Sequence, residues 1–125
     1  MPTKPPPKIV LFKLRADAPA TAQANLLAAL RTLKPLPSVD AQRLVVGGPS
    51  ISDPPASSQG FQLALLSFHA SQAKLREYQQ CAEHVEVVQK YVLPYKEDLI
   101  RFDFEVPEGD VSQFRGGVEG TQIDV

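Results

Sequence analysis

Two strand-like segments that are apolar on both faces constrain the fold most. They are "KIVLFKLR" at residues 8–15 and "FQLALLSFH" at residues 61–69. In the first, Val10 and Phe12 share one face, whereas Ile9 and Leu11 share the other. Because successive side chains of a strand point to opposite faces, a sheet that contains these strands needs an apolar cover on both sides.

Proline clusters separate these strands from the other predicted elements. The twelve prolines concentrate at residues 2–7, 35–37 and 49–55, and such clusters mark connections between elements. The segments "VDAQRLVVGG" at residues 39–48 and "EDLIRFDFEV" at residues 97–106 then read as two further strands. The sequence therefore predicts four strands.

Two amphipathic helices are predicted between the strands. The first, from about residue 19 to 33, carries a leucine stripe that includes Leu26 and Leu30 and should be buried. The second begins after Ser71, which is positioned as an N-cap, and ends before Pro94. The resulting order βαββαβ is typical of a ferredoxin-like α+β unit, a four-stranded antiparallel sheet with its helices on one face.

The second apolar face of such a sheet needs its own cover. Since both helices lie on one side, pairing the exposed face with an identical subunit is the simplest solution, and we predict a homodimer. We expect one domain at residues 8–106, a flexible proline-rich N-terminus at residues 1–7 and a glycine-rich extension at residues 107–125 that is flexible or docked. The polar loop at residues 49–60 is the predicted mobile element.

Composition argues against several function classes. Thirteen basic and fourteen acidic residues give a net charge of −1, so the electrostatic term required for nucleic-acid binding is missing. No apolar run approaches a membrane span and the N-terminus lacks a signal-peptide core, which predicts a soluble, cytoplasmic protein. One cysteine and two histidines favour neither a disulfide nor a metal site. The glycine pairs lack phosphate-loop context, so no cofactor is expected.

Three stretches resemble the signatures of the stress-responsive dimeric α/β-barrel (Dabb) family. They are "KIVLFKLR", "GFQLALLSF" and "YQQCAEHVEVVQKYVLPYKEDLIRFDFEV". The resemblance covers about residues 8–106, and its last stretch is the most specific. It implies a ferredoxin-like subunit that dimerises through its sheet to form a dimeric α/β barrel.

The resemblance also implies a catalytic pair, because a plant polyketide cyclase of this family carries out an aldol cyclisation without a cofactor. Its tyrosine and the histidine six residues later match Tyr78 and His84. This chain departs from the family at residues 81–82, where a histidine and a proline are common. Lys8 and Gln62 also stand where histidines are expected. The polar lining is therefore altered, and the cyclase's substrate cannot be transferred to this chain.

The chemistry of these side chains fits a cofactor-independent enzyme. Histidine has an ordinary pKa of about 6.5 and suits a general base, so His84 is the candidate base and Tyr78 the candidate proton donor to a developing oxyanion. Lys8, if its ammonium group faces the cleft, would stabilise that oxyanion, and Gln62 would orient a carbonyl group. The predicted apolar lining of the substrate site consists of Val10, Phe12, Leu26, Leu30 and Ala64.

Two functions remain open on the sequence alone. One is a cyclisation, dehydration or related lyase or isomerase step on an apolar, polyketide-like carbonyl compound. The other is a non-catalytic stress-response or small-molecule-binding barrel, in which His84 satisfies backbone groups at a helix start and Tyr78 packs in the core with its hydroxyl in water. An open cleft next to both side chains favours the enzyme, and a filled core favours the binding protein.

Four other polar positions are given structural roles. His69 is expected at the surface or as a cap, and Cys81 is expected to be a buried or half-buried thiol. Asp103 and Glu105 are expected to point outwards from the last strand. None of them is included in the predicted site.

Overall fold

A computed structural model of the chain describes residues 6–107 and residue 110. Residues 1–5 of the predicted N-terminal segment, and all of the predicted C-terminal extension except Pro107 and Asp110, lie outside this range. The four strands are β1 (Pro7–Leu14), β2 (Leu44–Gly47), β3 (Leu63–Phe68) and β4 (Lys96–Asp103). The three α-helices are α1 (Ala22–Arg31), α2 (Gln72–Gln80) and α3 (Ala82–Val87), and a π-helical turn at Val88–Val92 continues α3.

The strands form one antiparallel sheet in the order β2-β3-β1-β4. Strand β1 is central, and its Val10 lies opposite Leu65 of β3 and Arg101 of β4. This is the ferredoxin-like βαββαβ arrangement, and the prediction of the fold class is confirmed. Consecutive elements are joined by short connections and lie close to each other in space. The strand patterns of the sequence were therefore sufficient to predict this arrangement.

Two loops depart from the predicted boundaries. Strand β2 begins five residues later than predicted, because residues 40–42 form a 3-10 turn in which Ala41 and Gln42 have positive φ values of 53° and 55°. The loop at residues 49–60 contains a short 3-10 helix at Pro55–Ser58. Neither change alters the topology.

The helices pack on one face of the sheet and enclose the core. This face carries Val10, Phe12, Leu63 and Leu65 from the strands, and the helices and the turns that follow them contribute Leu26, Leu30, Leu33, Leu75, Tyr78, Val87 and Val92. The opposite face is much less covered. Its large apolar side chains include Val45, Ile100 and Phe102, which are 59%, 45% and 58% exposed.

The second helical region is broken at Cys81. This residue is the C-cap of α2 and the N-cap of α3, and its backbone is extended with φ −71° and ψ 155°. Six residues along an uninterrupted helix correspond to a rotation that leaves two side chains about 120° apart. The break therefore allows Tyr78, at the end of α2, and His84, in the first turn of α3, to face each other.

Candidate active site

A cavity of about 450 Å³ lies between the sheet and the segment formed by α3 and the π-helical turn. Much of its wall is apolar and includes Val10, Phe12, Leu30, Val88, Val92 and Leu99. Its polar lining includes Lys8, Tyr78, His84 and Arg101. The cavity thus combines an apolar wall with a small number of polar groups, which is the usual composition of a small-molecule site.

Tyr78 is the centre of an aromatic stack inside this site. Its side chain is fully buried, with 0% exposure, and its ring lies between His69 and His84 at centroid distances of 4.7 and 4.8 Å. Among the described residues, the Tyr78 hydroxyl has no hydrogen-bond partner. Burial, with a smaller effect of Cys81, raises the pKa of Tyr78. The hydroxyl therefore stays protonated and can donate to a ligand.

His84 is available as an acceptor of a proton. Its Nδ1 atom is buried and makes no well-formed hydrogen bond within the described part of the chain, although the nearby Gln79 backbone slightly favours the protonated ring. Burial, followed by the positive charge of Lys8, lowers the pKa of His84 to about 4. The imidazole is therefore neutral at physiological pH.

Lys8 brings a positive charge to the same cavity. Its side chain is only 3% exposed, and its Nζ lies 3.8 Å from Asp103 Oδ1. Burial lowers the pKa of Lys8 to about 8, although the Asp103 carboxylate opposes the shift. When its amide oxygen faces them, Gln79 accepts hydrogen bonds from Lys8 Nζ at 3.0 Å and from Arg101 Nη1 at 3.3 Å. The lysine is thus held at the cavity wall, as the predicted electrostatic role requires.

His69 was wrongly expected at the surface, because the structure buries it completely. Its Nδ1 lies 2.6 Å from the Ser38 carbonyl oxygen and its Nε2 lies 2.9 Å from Ser67 Oγ. Since a carbonyl oxygen only accepts, Nδ1 carries the proton and the Ser67 hydroxyl donates to Nε2. Burial lowers the pKa of His69, so a neutral ring with a fixed tautomer supports Tyr78.

The alternation of strand β3 contained the signal that was missed for His69. Leu63, Leu65 and Ser67 are all buried, and the next position with the same parity is His69.

Asp103 was also expected to point outwards. It lies on the cavity side with Leu99 and Arg101, and its Oδ2 is 3.3 Å from Arg101 Nε. Asp103 lies an even number of residues after the half-buried Leu99, and this spacing puts both side chains on the same face of the strand.

The structure brings together part of the predicted substrate site. Lys8, Val10, Phe12 and Leu30 line the cavity with Tyr78 and His84. Leu26 does not line it, because its side chain is fully buried in the core behind the cavity, with 0% exposure.

Gln62 and Ala64 are not brought into this cavity. Both are exposed, because the buried parity of β3 belongs to Leu63 and Leu65. They line a different cavity, of about 530 Å³, next to the loop at residues 49–60. There Gln62 Oε1 accepts a hydrogen bond from the Ser50 backbone nitrogen at 3.2 Å. The assignment of Gln62 to carbonyl orientation in the candidate active site is therefore not supported.

Cys81 contributes to the backbone geometry of the site. Its half-buried thiol lies 3.3 Å from the Tyr78 carbonyl oxygen.

Residues 6–107 and 110 contain no group of three or more His, Cys, Asp or Glu side chains arranged to hold a metal ion. In the same range, no helix has the length and apolar character needed to cross a membrane.

Comparisons with known proteins support this description of the fold. A hydroxynitrile lyase from Passiflora edulis superposes with a TM-score of 0.71 at 17% identity, covering 86% of this chain and 97% of the other. A Dabb family protein from Mesorhizobium loti gives 0.67 at 20% identity, covering 84% and 98%. A dimeric ferredoxin-like protein of unknown function from Thermobifida fusca gives 0.69 at 15% identity, covering 83% and 92%.

At these identities the solved structures show the fold alone, and no curated protein matches the sequence. The family follows from a different comparison. The model of the stress responsive A/B barrel domain, Dabb, matches residues 7–106, which include all four strands and the whole lining of the cavity. The chain therefore belongs to the Dabb stress-responsive A/B barrel family.

Proposed function

We propose that the protein is a cofactor-independent enzyme that uses His84 as general base and Tyr78 as proton donor on an apolar carbonyl compound. The reaction class is a cyclisation, a dehydration or a related lyase or isomerase step. These reactions share one elementary event, the removal of a proton next to a carbonyl group or from a hydroxyl group, with charge developing on oxygen.

The observation that carries this proposal is the pair of unpartnered polar atoms at one cavity. The Tyr78 hydroxyl and His84 Nδ1 are both buried without well-formed hydrogen bonds among the described residues, and both residues line the same void. Buried polar atoms in native proteins nearly always have partners. A ligand in this cavity would supply them, and this supports an open site over a filled core.

The charges of the site suit the proposed steps. Neutral His84 is ready to accept a proton from the substrate, while the protonated Tyr78 donates to the developing oxyanion. The buried Lys8, with its Nζ held near Asp103 and Gln79, would stabilise the same negative charge. In a cavity with an apolar wall such interactions are stronger than in water.

The comparisons support a lyase-type step and a dimer. One structural neighbour is a hydroxynitrile lyase, and three neighbours, among them the Thermobifida fusca protein, are described as dimeric. The exposed apolar sheet face that includes Val45, Ile100 and Phe102 fits dimerisation through this face. We therefore include a homodimer in the proposal.

The proposal can be tested without knowledge of the substrate. Benzylacetone, a small apolar ketone, is incubated with the protein in D₂O, and exchange of the hydrogens next to its carbonyl is followed by NMR. We expect exchange above the buffer rate, and a reduction of about 10²- to 10⁴-fold in His84→Ala. Tyr91→Phe serves as control, because Tyr91 does not line the cavity.

The same experiment addresses the alternative function. Saturation-transfer NMR reports whether benzylacetone binds, independently of exchange. Binding with exchange at the buffer rate would contradict the enzyme and favour a small-molecule-binding barrel. Exchange that is unchanged in a folded His84→Ala variant would remove His84 from the assigned role.

A further inference from the structure

We propose that Lys8 attacks the carbonyl group of the substrate and holds it as a protonated imine in the cavity. This inference rests on the proposed function for the class of substrate, an apolar aldehyde or ketone. It adds a covalent step to that function and assigns the formation of the covalent bond to Lys8.

The placement of Lys8 is the first argument. Its side chain lines the cavity and is only 3% exposed, so the amine meets a ligand in the cavity more readily than a solute in bulk water. The distance of 3.8 Å between its Nζ and Asp103 Oδ1 is longer than a well-formed hydrogen bond. The Asp103 carboxylate therefore does not bind the nitrogen closely, and the Gln79 amide oxygen at 3.0 Å occupies only one of its three hydrogens.

Burial beside a second cation is the second argument. Arg101 lies near Lys8, as their shared partner Gln79 shows. Burial favours the neutral amine most strongly and the positive charge of Arg101 adds to it, against the opposing effect of the Asp103 carboxylate. With a pKa of about 8, about a quarter of Lys8 is unprotonated at pH 7.5, compared with about 0.1% of a lysine with the ordinary pKa of about 10.4. Desolvation next to another cation is a known way to activate a lysine nucleophile.

The acid and base needed for imine formation line the same cavity. The Lys8 ammonium group first gives one proton to solvent. Its neutral nitrogen then forms a bond to the carbonyl carbon, the C–O π pair moves to oxygen, and Tyr78 donates a hydrogen bond to that oxygen. His84 carries a proton from the nitrogen to the oxygen, and a proton from solvent then converts the hydroxyl group to water, which leaves as the nitrogen lone pair forms the C=N bond. Overall, one alkylammonium and one ketone give one iminium ion and one water, without any oxidation or reduction.

The iminium ion also fits the proton chemistry proposed above. It places the positive charge of Lys8 in direct conjugation with the reacting carbon, so that loss of the neighbouring proton to His84 gives a neutral enamine. A lysine in an apolar pocket that faces a neutral base is the arrangement such a reaction requires.

Reductive trapping tests the covalent step. The full chain is incubated with benzylacetone and sodium cyanoborohydride, and adducts are located by peptide mass mapping. We expect label on Lys8 to accumulate about tenfold faster than on Lys13. Lys13 is a matched control on the same strand, with a 30% exposed side chain and an ion pair to Glu97 at 3.8 Å. Label that follows exposure, with Lys13 ahead of Lys8, would overturn the inference.

Two variants separate this inference from the proposed function. Lys8→Arg keeps the charge but forms no imine, so labelling at this position should disappear and deuterium exchange should fall about 100-fold. If Lys8→Arg keeps full exchange while His84→Ala loses it, the acid/base proposal stands and the imine is wrong. If Lys8 is trapped but His84→Ala keeps full exchange, the imine stands and the assignment of the base fails.

Folding is checked independently, because Lys8 is buried beside Asp103. Circular dichroism and gel filtration must match the wild type before exchange is interpreted. If Lys8→Arg fails this check, the double variant Lys8→Met with Asp103→Asn removes both charges together and is tested in its place. Full exchange in that folded double variant would contradict the covalent step.

Discussion

Replacing Tyr78 with phenylalanine removes one oxygen atom that the fold buries without a partner among the described residues. An unsatisfied buried hydroxyl costs about 1–3 kcal/mol. We expect at least the lower end of this range, about 1 kcal/mol of added stability in Tyr78→Phe. For a domain of this size that corresponds to about 4 °C in Tm.

The same substitution should reduce function. If the Tyr78 hydroxyl donates to the developing oxyanion, its loss should slow deuterium exchange of benzylacetone about 100-fold. A gain in stability with a loss of activity is the signature of a group retained for chemistry. A hydroxyl retained for packing would give the opposite change in stability and no change in exchange.

The assay is urea unfolding followed by circular dichroism, at one fixed protein concentration because the proposed dimer would contribute to stability. Tyr91→Phe is the control, since Tyr91 is half-buried and outside the cavity lining; its effect should stay within about 0.5 kcal/mol. Destabilisation of Tyr78→Phe by 1 kcal/mol or more would refute the reasoning about the unpartnered hydroxyl. Full exchange would refute its catalytic role.

Three further predictions concern pH, assembly and capping. The pKa of His84 is about 4 in the folded chain and about 6.5 in the unfolded chain. This difference contributes to the free energy of unfolding, and the contribution is complete above pH 6.5 and is lost as the pH falls through 4. After discounting for the partial exposure of His84, this contribution amounts to about 2 kcal/mol. His84→Gln should therefore reduce the change of the urea midpoint between pH 6.5 and pH 4. An unchanged pH dependence of the midpoint would contradict the burial argument. If the proposed dimer forms through the sheet face, Phe102→Asp should give a monomer in light scattering, whereas Val85→Asp on the helical side should not. A Phe102→Asp variant that stays dimeric would exclude the sheet face as the dimer interface. Ser71 Oγ accepts from the Lys74 backbone nitrogen at 3.1 Å, so Ser71→Ala should cost about 1 kcal/mol in urea unfolding without affecting exchange, and no measurable loss would contradict the cap.

The sequence alone determined the order of the elements and the fold class. Residues 8–15 and 61–69 alternate as strands, the leucine stripe around Leu26 and Leu30 marks a helix, and Ser71 caps the next one. These signals are local, because strand and helix periods are properties of neighbouring residues. The pairing of Tyr78 with His84 required the family resemblance in addition, because a spacing of six residues on a continuous helix does not bring two side chains together.

Only the tertiary structure decided which polar side chains share the cavity. The break at Cys81 turns Tyr78 and His84 towards each other, and the parity of β3 buries His69 while turning Gln62 and Ala64 to the opposite face of the sheet. Asp103 approaches Lys8 only because β4 pairs with β1 in a register that sets these two residues opposite each other. Such contacts depend on long-range register and on the packing of elements distant in the chain, and the lowered pKa values of Lys8 and His84 depend in turn on the burial that this packing creates.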